Sequence, residues 1–340
     1  MQGWRVAITA PGRAACERFE VDEARLAPEE VWIRTRFSLI SPGTEGAVFA
    51  NTTGTERYPV HGGYASVGEV VREGADFPNV RRGQAVFTYG AHQEYARARV
   101  MCLPVPAGLD PGIAVMARLA TVAMTALRVS SVQLGDRVVV LGQGMVGNFC
   151  AQLFQRAGAE VLGVDPAPGR RAIAGACGVR NLSPGGDDAD IRREVRTFTE
   201  GWGADATVEA IGNPRLVELA LSLTGKLGEV ILLGSPRGGH VTDVTPLLNA
   251  VHLWDAGCVT LKGAHEWRHP VQDRRAADPA QKHSMERNTR IAFRMLADGR
   301  LQAEPMRTDV ASPHEAQAAY EGLRDRRDAH MGVLFDWGEP

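Results

Sequence analysis

The stretch from Arg137 to Asp165 constrains this chain more than any other. Val138, Val139, Val140 and Leu141 form a continuous apolar run, the pattern of a parallel strand buried on both faces. The turn Gly142-Gln143-Gly144-Met145-Val146-Gly147 follows at once, spaced G-x-G-x-x-G. The first glycine permits a tight turn, the second lets a pyrophosphate reach the backbone, and the third lets the next helix pack on the strand. That helix runs from Met145 to about Ala157 and aims its N–H groups and positive dipole end at the phosphate. A second strand, Val161–Val164, ends in Asp165, 18 residues beyond Gly147. A carboxylate near that spacing bonds the ribose hydroxyls of a dinucleotide. Alone, G-x-G-x-x-G is a weak signal. Set between a strand and a helix and followed by an acidic strand end, it outweighs the reading of a ligand-free glycine turn.

Charge then selects the dinucleotide. Asp165 repels a 2′-phosphate and accepts from hydroxyls, which favours NAD over NADP. Arg170 and Arg171 pull the other way, because arginines hold phosphates well. The acidic strand end decides for NAD.

Past Asp165 the chain alternates helix and strand: helices at Arg170–Cys177 and Pro214–Leu223, strands at Ala206–Ala210, Gly228–Leu233 and Cys258–Lys262. Such alternation predicts an α/β fold, a doubly wound parallel sheet with helices on both faces. Residues 1–120 read as β-rich, with strands at Trp4–Thr9, Val31–Ser38 and Gly68–Glu73, a polar connector at Glu20–Glu30 and a loop over 51–63. Ser41-Pro42-Gly43-Thr44-Glu45-Gly46 reads as a turn opening a short helix, and Ile113–Ser130 has helical spacing. Since the glycine motif lies mid-chain, the tail must return to the first domain. The expected division is 1–122 with 301–340, and 123–300.

The chain of 340 residues is long enough for two cores. Its net charge of −2 gives no reason to expect a nucleic-acid partner. No apolar run reads as a membrane span, and Met1-Gln2-Gly3-Trp4-Arg5 does not open a signal peptide. The five cysteines are scattered and odd in number, so neither a disulfide framework nor a C-x-x-C metal site is expected. A cytoplasmic location follows as the expectation.

Several motifs stand in one order: Gly83-Gln84-Ala85-Val86, Gly135-Asp136-Arg137-Val138, the glycine turn, Glu209-Ala210-Ile211-Gly212, Gly234-Ser235-Pro236 and Leu261-Lys262-Gly263. In this the chain resembles the medium-chain dehydrogenase/reductase superfamily over nearly its whole length. Ser41-Pro42-Gly43-Thr44-Glu45, Gly63-Tyr64-x-x-Val67-Gly68 and Gly90-x-His92-x-Glu94-Tyr95 are similar to its zinc-independent branch, which contains bacteriochlorophyllide a dehydrogenase. The resemblance implies a GroES-like, partly open β-barrel catalytic domain, a Rossmann domain, an active site in the cleft between them, and a homodimer. It also implies that Arg170 contacts the adenosine ribose, that Thr125, Ile211, Gly234, Ser235 and Ala264 line the cofactor, and that His265 lies near the carboxamide.

Zinc members of that superfamily take ligands from a C-x-[ST]-D run, a G-H-E run and a position near the domain junction. Here those places read Pro42-Gly43-Thr44-Glu45, Gly63-Tyr64-Ala65 and Thr121. Proline has no donor atom, and neutral Tyr and Thr are poor zinc ligands. A metal-free enzyme is therefore expected. Without a Lewis acid, a side chain must handle the alcohol proton. By resemblance Tyr64 stands in the place of the histidine ligand, Thr44 in that of the relay hydroxyl and Glu45 in that of the acidic residue behind the metal. Histidine as a residue type titrates near physiological pH, which makes His92 an easier direct base than a tyrosine. Each has a bland alternative: Tyr64 as a packed ring, His92 as a barrel or loop brace, Glu45 as an ion-pair partner, Thr44 as pocket lining, and His265 as a surface residue. Three functions follow in order of preference: an NAD-dependent dehydrogenase of a secondary alcohol or ketone on a pigment, sugar or natural-product scaffold; an NADPH-dependent enoyl or quinone reductase, against which Gly142 argues; and a non-catalytic dinucleotide sensor.

Overall fold

The computed structural model describes residues 2–22, 26–76 and 80–338, so the expected polar connector lies outside the described residues at 23–25. The chain forms two units, Met1–Arg118 with His269–Pro340, and Leu119–Arg268. The second begins close to the expected 123 but ends well before 300. The physical reason is the helix Met285–Ala297, whose Phe293 meets the ring of Phe87 edge-on at 5.8 Å. Ser284 caps this helix, accepting from the Arg287 N–H at 3.1 Å. An apolar helix face goes where it finds apolar partners, and Phe87 lies in the first unit.

The second unit is built on a six-stranded parallel sheet in the order Asn181–Ser183, Glu160–Val164, Arg137–Leu141, Ala204–Glu209, Thr224–Leu232, Thr260–Gly263. The expected all-apolar strand, Val138 to Leu141, is buried at the middle of this sheet. Helices Met145–Arg156, Pro168–Ala176, Asp188–Phe198 and Leu216–Leu223 connect the strands. Val139, Leu141, Leu162, Val164, Val195, Leu219, Leu223 and Val230 form the core. The strand order reverses on the two sides of Arg137–Leu141, and ligands bind such sheets outside the carboxyl ends at that point.

The first unit is mostly antiparallel. Its strands run in the order Arg307–Ala311, Gly332–Asp336, Val31–Leu39, Ser66–Glu73, Ala85–Thr88, Cys102–Pro104, and Tyr95–Ala98 pairs with Val31–Leu39. Near the end of the chain, Leu334–Asp336 pairs with Phe37–Leu39. A hairpin, Gln2–Ala10 with Arg13–Glu20, joins through bridges at Arg5–Gln93 and Ile8–Val60. Val6, Ile8, Ile40, Phe49, Tyr320, Val333 and Phe335 form one core cluster, and Val31, Ile33, Val70, Val80 and Val86 another.

One expectation is corrected. The run Pro111–Val129 does have the length and apolarity of a membrane span. It folds as two helices, Pro111–Ala114 and Ala117–Val129, and its window is 72% buried within the protein, as in the core helix of a globular fold.

Candidate active site

The glycines of the second unit are set by contact. Gly142 has φ +91°, and a Cβ there would lie 2.5 Å from Ile211 Cγ1. A Cβ on Gly147 would lie 1.9 Å from the Gly142 carbonyl oxygen. Gly144 differs, since nothing lies within 4 Å of an added Cβ. It is the N-cap of Met145–Arg156 and brings no side-chain acceptor, so the first turn, with Met145 and Val146, keeps donors for a phosphate.

Asp165 is buried, at 3% exposure. One oxygen accepts from the Gln143 N–H at 2.8 Å and the other from Ala167 N–H at 2.9 Å. Each keeps a second lone pair for a hydroxyl. Arg170 Nη1 lies 3.7 Å from Asp165, whereas Arg171 donates to the Asp165 and Pro166 carbonyls at 2.7 and 2.8 Å. At the next strand end Glu209 accepts from Ile211 N–H at 2.8 Å and Gly212 N–H at 2.9 Å. Burial pushes this carboxyl above its ordinary value, and those N–H groups only partly offset it. Gly212 and Gly234 lie back to back: a Cβ on Gly234 would meet Gly212 N at 2.1 Å. Ile211 is half exposed, at 49%, and Ser235 and His265 are exposed. Thr125 is buried with its hydroxyl bonded to the Thr121 carbonyl at 3.3 Å, and Ala264 is buried with its N–H on the Leu232 carbonyl at 2.9 Å.

In the first unit the strand Val31–Leu39 leads through Ser41 into the helix Thr44–Ala50. Glu45, the second residue of that helix, is 3% exposed. Its carboxylate accepts from Ser41 N–H at 2.8 Å and the Tyr320 hydroxyl at 2.7 Å, and meets His92 Nε2 at 2.9 Å. His92 Nδ1 meets Ser38 Oγ at 2.8 Å, and Ser38 Oγ accepts from Trp337 Nε1 at 2.9 Å. Both ring nitrogens of His92 are therefore engaged, and its side chain is 0% exposed. Burial pushes the Glu45 carboxyl up, but the charge and hydrogen bond of His92, with Ser41 and Tyr320, hold it below the ordinary value. Burial and the Glu45 charge push the Tyr320 hydroxyl well up.

Thr44 is exposed and Tyr64 half-buried. The Tyr64 hydroxyl donates to Ser41 Oγ and lies 3.5 Å from Thr44 Oγ1. Arg118 is 3% exposed, and its guanidinium lies over the Tyr64 ring at 4.6 Å and the Tyr89 ring at 4.4 Å. Sequence reasoning passed over Arg118, although a lone cation within an apolar helical run is a legible signal. Pro42 offers no donor atom at the first place where zinc relatives carry a ligand. Among the described residues, no three His, Cys, Asp or Glu side chains converge to hold a metal ion.

This geometry can be set against known proteins. A family model described as "Zinc-binding dehydrogenase" matches residues 146–272, a span that excludes Pro42, Tyr64 and Thr121. D-guloside 3-dehydrogenase of Shigella flexneri is 32% identical over 246 residues, covering 64% of this chain and 69% of that enzyme. The chain belongs to the medium-chain dehydrogenase/reductase superfamily. Among solved structures, an Escherichia coli oxidoreductase of unknown specificity superposes with a TM-score of 0.82 at 18% identity, over 99% of both chains. Galactitol-1-phosphate dehydrogenase from Escherichia coli does so with 0.80 at 18% identity, over 98% of this chain and 99% of that one. The fold of this medium-chain oxidoreductase is thus a Rossmann domain with a GroES-like barrel, as expected.

The glycine contacts separate folding from binding. Gly147→Ala forces the Gly142 carbonyl to move and should cost ~1–3 kcal/mol, seen as a thermal midpoint several degrees lower. Gly144→Ala should leave the midpoint within about two degrees but weaken NADH, by fluorescence titration, at least about tenfold, because the methyl occupies the phosphate approach. The reverse pattern would refute the assignment. A second expectation concerns acid. A carboxyl whose folded value is lowered stabilises fully above its ordinary value, 4.5, and loses that contribution as pH falls through the lowered one. The stability gap between wild type and Glu45→Gln in urea should therefore be largest at neutral pH and shrink in acid. A gap that stays constant down to about pH 3 would show that the Glu45 charge is not what matters.

Proposed function

We propose that this protein is an NAD-dependent, metal-free dehydrogenase that oxidises a secondary alcohol of a sugar-type substrate, or reduces the corresponding ketone. One observation carries the reading. The half-buried Tyr64, at the place of the superfamily's histidine ligand, bonds Ser41 by its hydroxyl and lies near the exposed Thr44, while Glu45 and His92 form a buried pair bonded to the same loop. Zinc does not fit these residues. Pro42 has no donor, Tyr64 and Thr121 are poor ligands, and Glu45 and His92 are taken up by each other, Tyr320, Ser41 and Ser38. The sugar scaffold is drawn from D-guloside 3-dehydrogenase.

The second unit would hold NAD by the glycine turn and Gly144, with Asp165 and Arg170 for the adenosine ribose and Thr125, Ile211, Gly234, Ser235, Ala264 and His265 as the further contacts. The cofactor would supply the acceptor for the hydride of the carbinol carbon. Tyr64 binds the alcohol oxygen and orients it. The hydroxyl proton leaves through the Tyr64 hydroxyl and the exposed Thr44 to water as the hydride departs and the carbonyl forms. His92 was expected to take that proton directly. With both ring nitrogens bonded inside the protein, we assign it and Glu45 the task of fixing Ser41 and the start of the Thr44–Ala50 helix. The alternative, an NADPH-dependent enoyl or quinone reductase, is disfavoured by Asp165 and Gly142.

Mixed with NAD and methyl D-guloside, the protein should produce nicotinamide absorbance that survives a strong chelator. Tyr64→Phe should lower turnover by ~10²–10⁴ with NADH affinity intact. Asp165→Ser should narrow the preference for NAD over NADP. Activity confined to NADPH with enones, or one tightly held zinc per chain, would overturn the reading.

We also propose a homodimer formed across the sheet edge. Among the described residues, Thr260–Gly263 pairs on one side only. Val241, Val244, Leu248, Leu253 and Trp254 are exposed in the same unit. An open edge near exposed apolar residues favours pairing with another copy. Light scattering at micromolar concentration should give twice the chain mass, and a monomer would contradict it.

A further inference from the structure

Arg118 is placed against two physical preferences. It is nine-tenths buried, where a charge is costly unless compensated. It also lies in the first turn of Ala117–Val129, the helix end where a cation opposes the dipole. Apolar residues surround it in sequence, Val115, Met116 and Ala117 before it and Leu119 and Ala120 after it, all buried. A residue serving only to fill this space would be apolar. The guanidinium instead lies between two tyrosine rings, 4.6 Å from the centre of Tyr64 and 4.4 Å from that of Tyr89. Gly63, with φ +92°, and the buried His92 fix the backbone from which Tyr64 projects.

We propose that Arg118 is a positioning residue for alcohol oxidation, acting through Tyr64. Its role is to hold the Tyr64 ring and to supply, through that ring, the positive potential that steadies the negative charge growing on the substrate oxygen. This rests on the reading of Tyr64 as the group that binds the alcohol. A cation on a ring face is held by the negative quadrupole of the ring, and burial strengthens that attraction. As the alcohol proton departs, charge accumulates on the oxygen bonded to the Tyr64 hydroxyl. In zinc relatives the metal answers that charge. Here a buried monovalent cation across the ring does so at longer range. The expected effect is therefore smaller than that of a metal, roughly tenfold to hundredfold in turnover. The ground-state alcohol is neutral, so its affinity should hardly respond.

The test is a double-mutant cycle on the full-length protein with NAD and methyl D-guloside. Arg118→Met, which keeps the bulk and drops the charge, should lower kcat about ten- to hundredfold in the wild-type background. In the Tyr64→Phe background the same change should cost less than about threefold, because the hydroxyl it acts through is gone. Arg118→Lys, which keeps a cation on the rings, should recover most of the loss. Calorimetric binding of methyl D-guloside to the NADH-saturated protein should stay within about threefold for Arg118→Met. If Arg118→Met fails to fold, as thermal unfolding would show, Arg118→Gln takes its place in the cycle. Equal losses in both backgrounds would overturn the proposal, as would a lysine variant as impaired as the methionine one. Full turnover in Tyr64→Phe alone would remove the reading beneath it, an outcome distinct from additive losses.

Discussion

A carboxylate buried without partners protonates or unfolds what surrounds it. Glu45 escapes both because three donors, from Ser41, His92 and Tyr320, converge on it, and Ser38 and Trp337 hold the far side of His92. These residues come from a strand, a helix start, a loop, a helix near the end of the chain and the tail itself. The first unit's discontinuity is thus built into one ionic cluster, since Tyr320 is 275 residues from its acceptor. Such a pair is weak evidence for stability, yet removing His92 would cost about 3–5 kcal/mol because the buried Glu45 carboxylate would be stranded. The cluster also dictates its surroundings. A Cβ on Gly62 would lie 2.7 Å from the Glu45 oxygen, and one on Gly63 would lie 2.5 Å from His92 N. Two glycines in succession let the chain pass close to the pair, and Tyr64 follows immediately.

The second unit depends on close approach of backbone instead of buried charge. Gly142 against Ile211, Gly147 against the Gly142 carbonyl, and Gly212 against Gly234 press three strand-end turns together. The surface they leave is made of main chain, with Glu209 and Asp165 tying down the N–H groups of the turns. Gly144 alone among these glycines has open space before it, the room that a phosphate would need on the proposed reading.

This contrast explains what could be read in advance. The Rossmann unit follows from local signals: an apolar run, a glycine spacing and an acidic strand end lie within one βαβ stretch. Asp165 is buried at the end of its strand and bonded to the turn that the motif defines. The helix Asp188–Phe198 went unread because only Ile191 and Val195 of it are buried, too few to show a period. The barrel depends on pairing between distant segments, which no local pattern reports. The strand Arg13–Glu20 has one buried residue, Ala14, and so lacked the alternation by which a strand is recognised. His92 illustrates the same limit at the site. Its residue type suggests a base, but whether its nitrogens face solvent or neighbours depends on Ser38 and Glu45, which lie 54 and 47 residues away.

Arg118 shows how the two kinds of constraint meet. In the first turn of a helix a cation loses about 0.3–1 kcal/mol to the dipole. The ring faces of Tyr64 and Tyr89, at 4.6 and 4.4 Å, contribute about 0.5–2 kcal/mol each and offset part of the cost of placing the charge there. The arrangement nonetheless exceeds what packing alone requires, because an aliphatic side chain would fill the same volume with neither the dipole conflict nor the charge to bury. A divalent metal needs several converging donors, and among the described residues no three His, Cys, Asp or Glu side chains converge. On the proposed reading Tyr64 would carry the cation on its ring and the alcohol at its hydroxyl, two contacts on one residue.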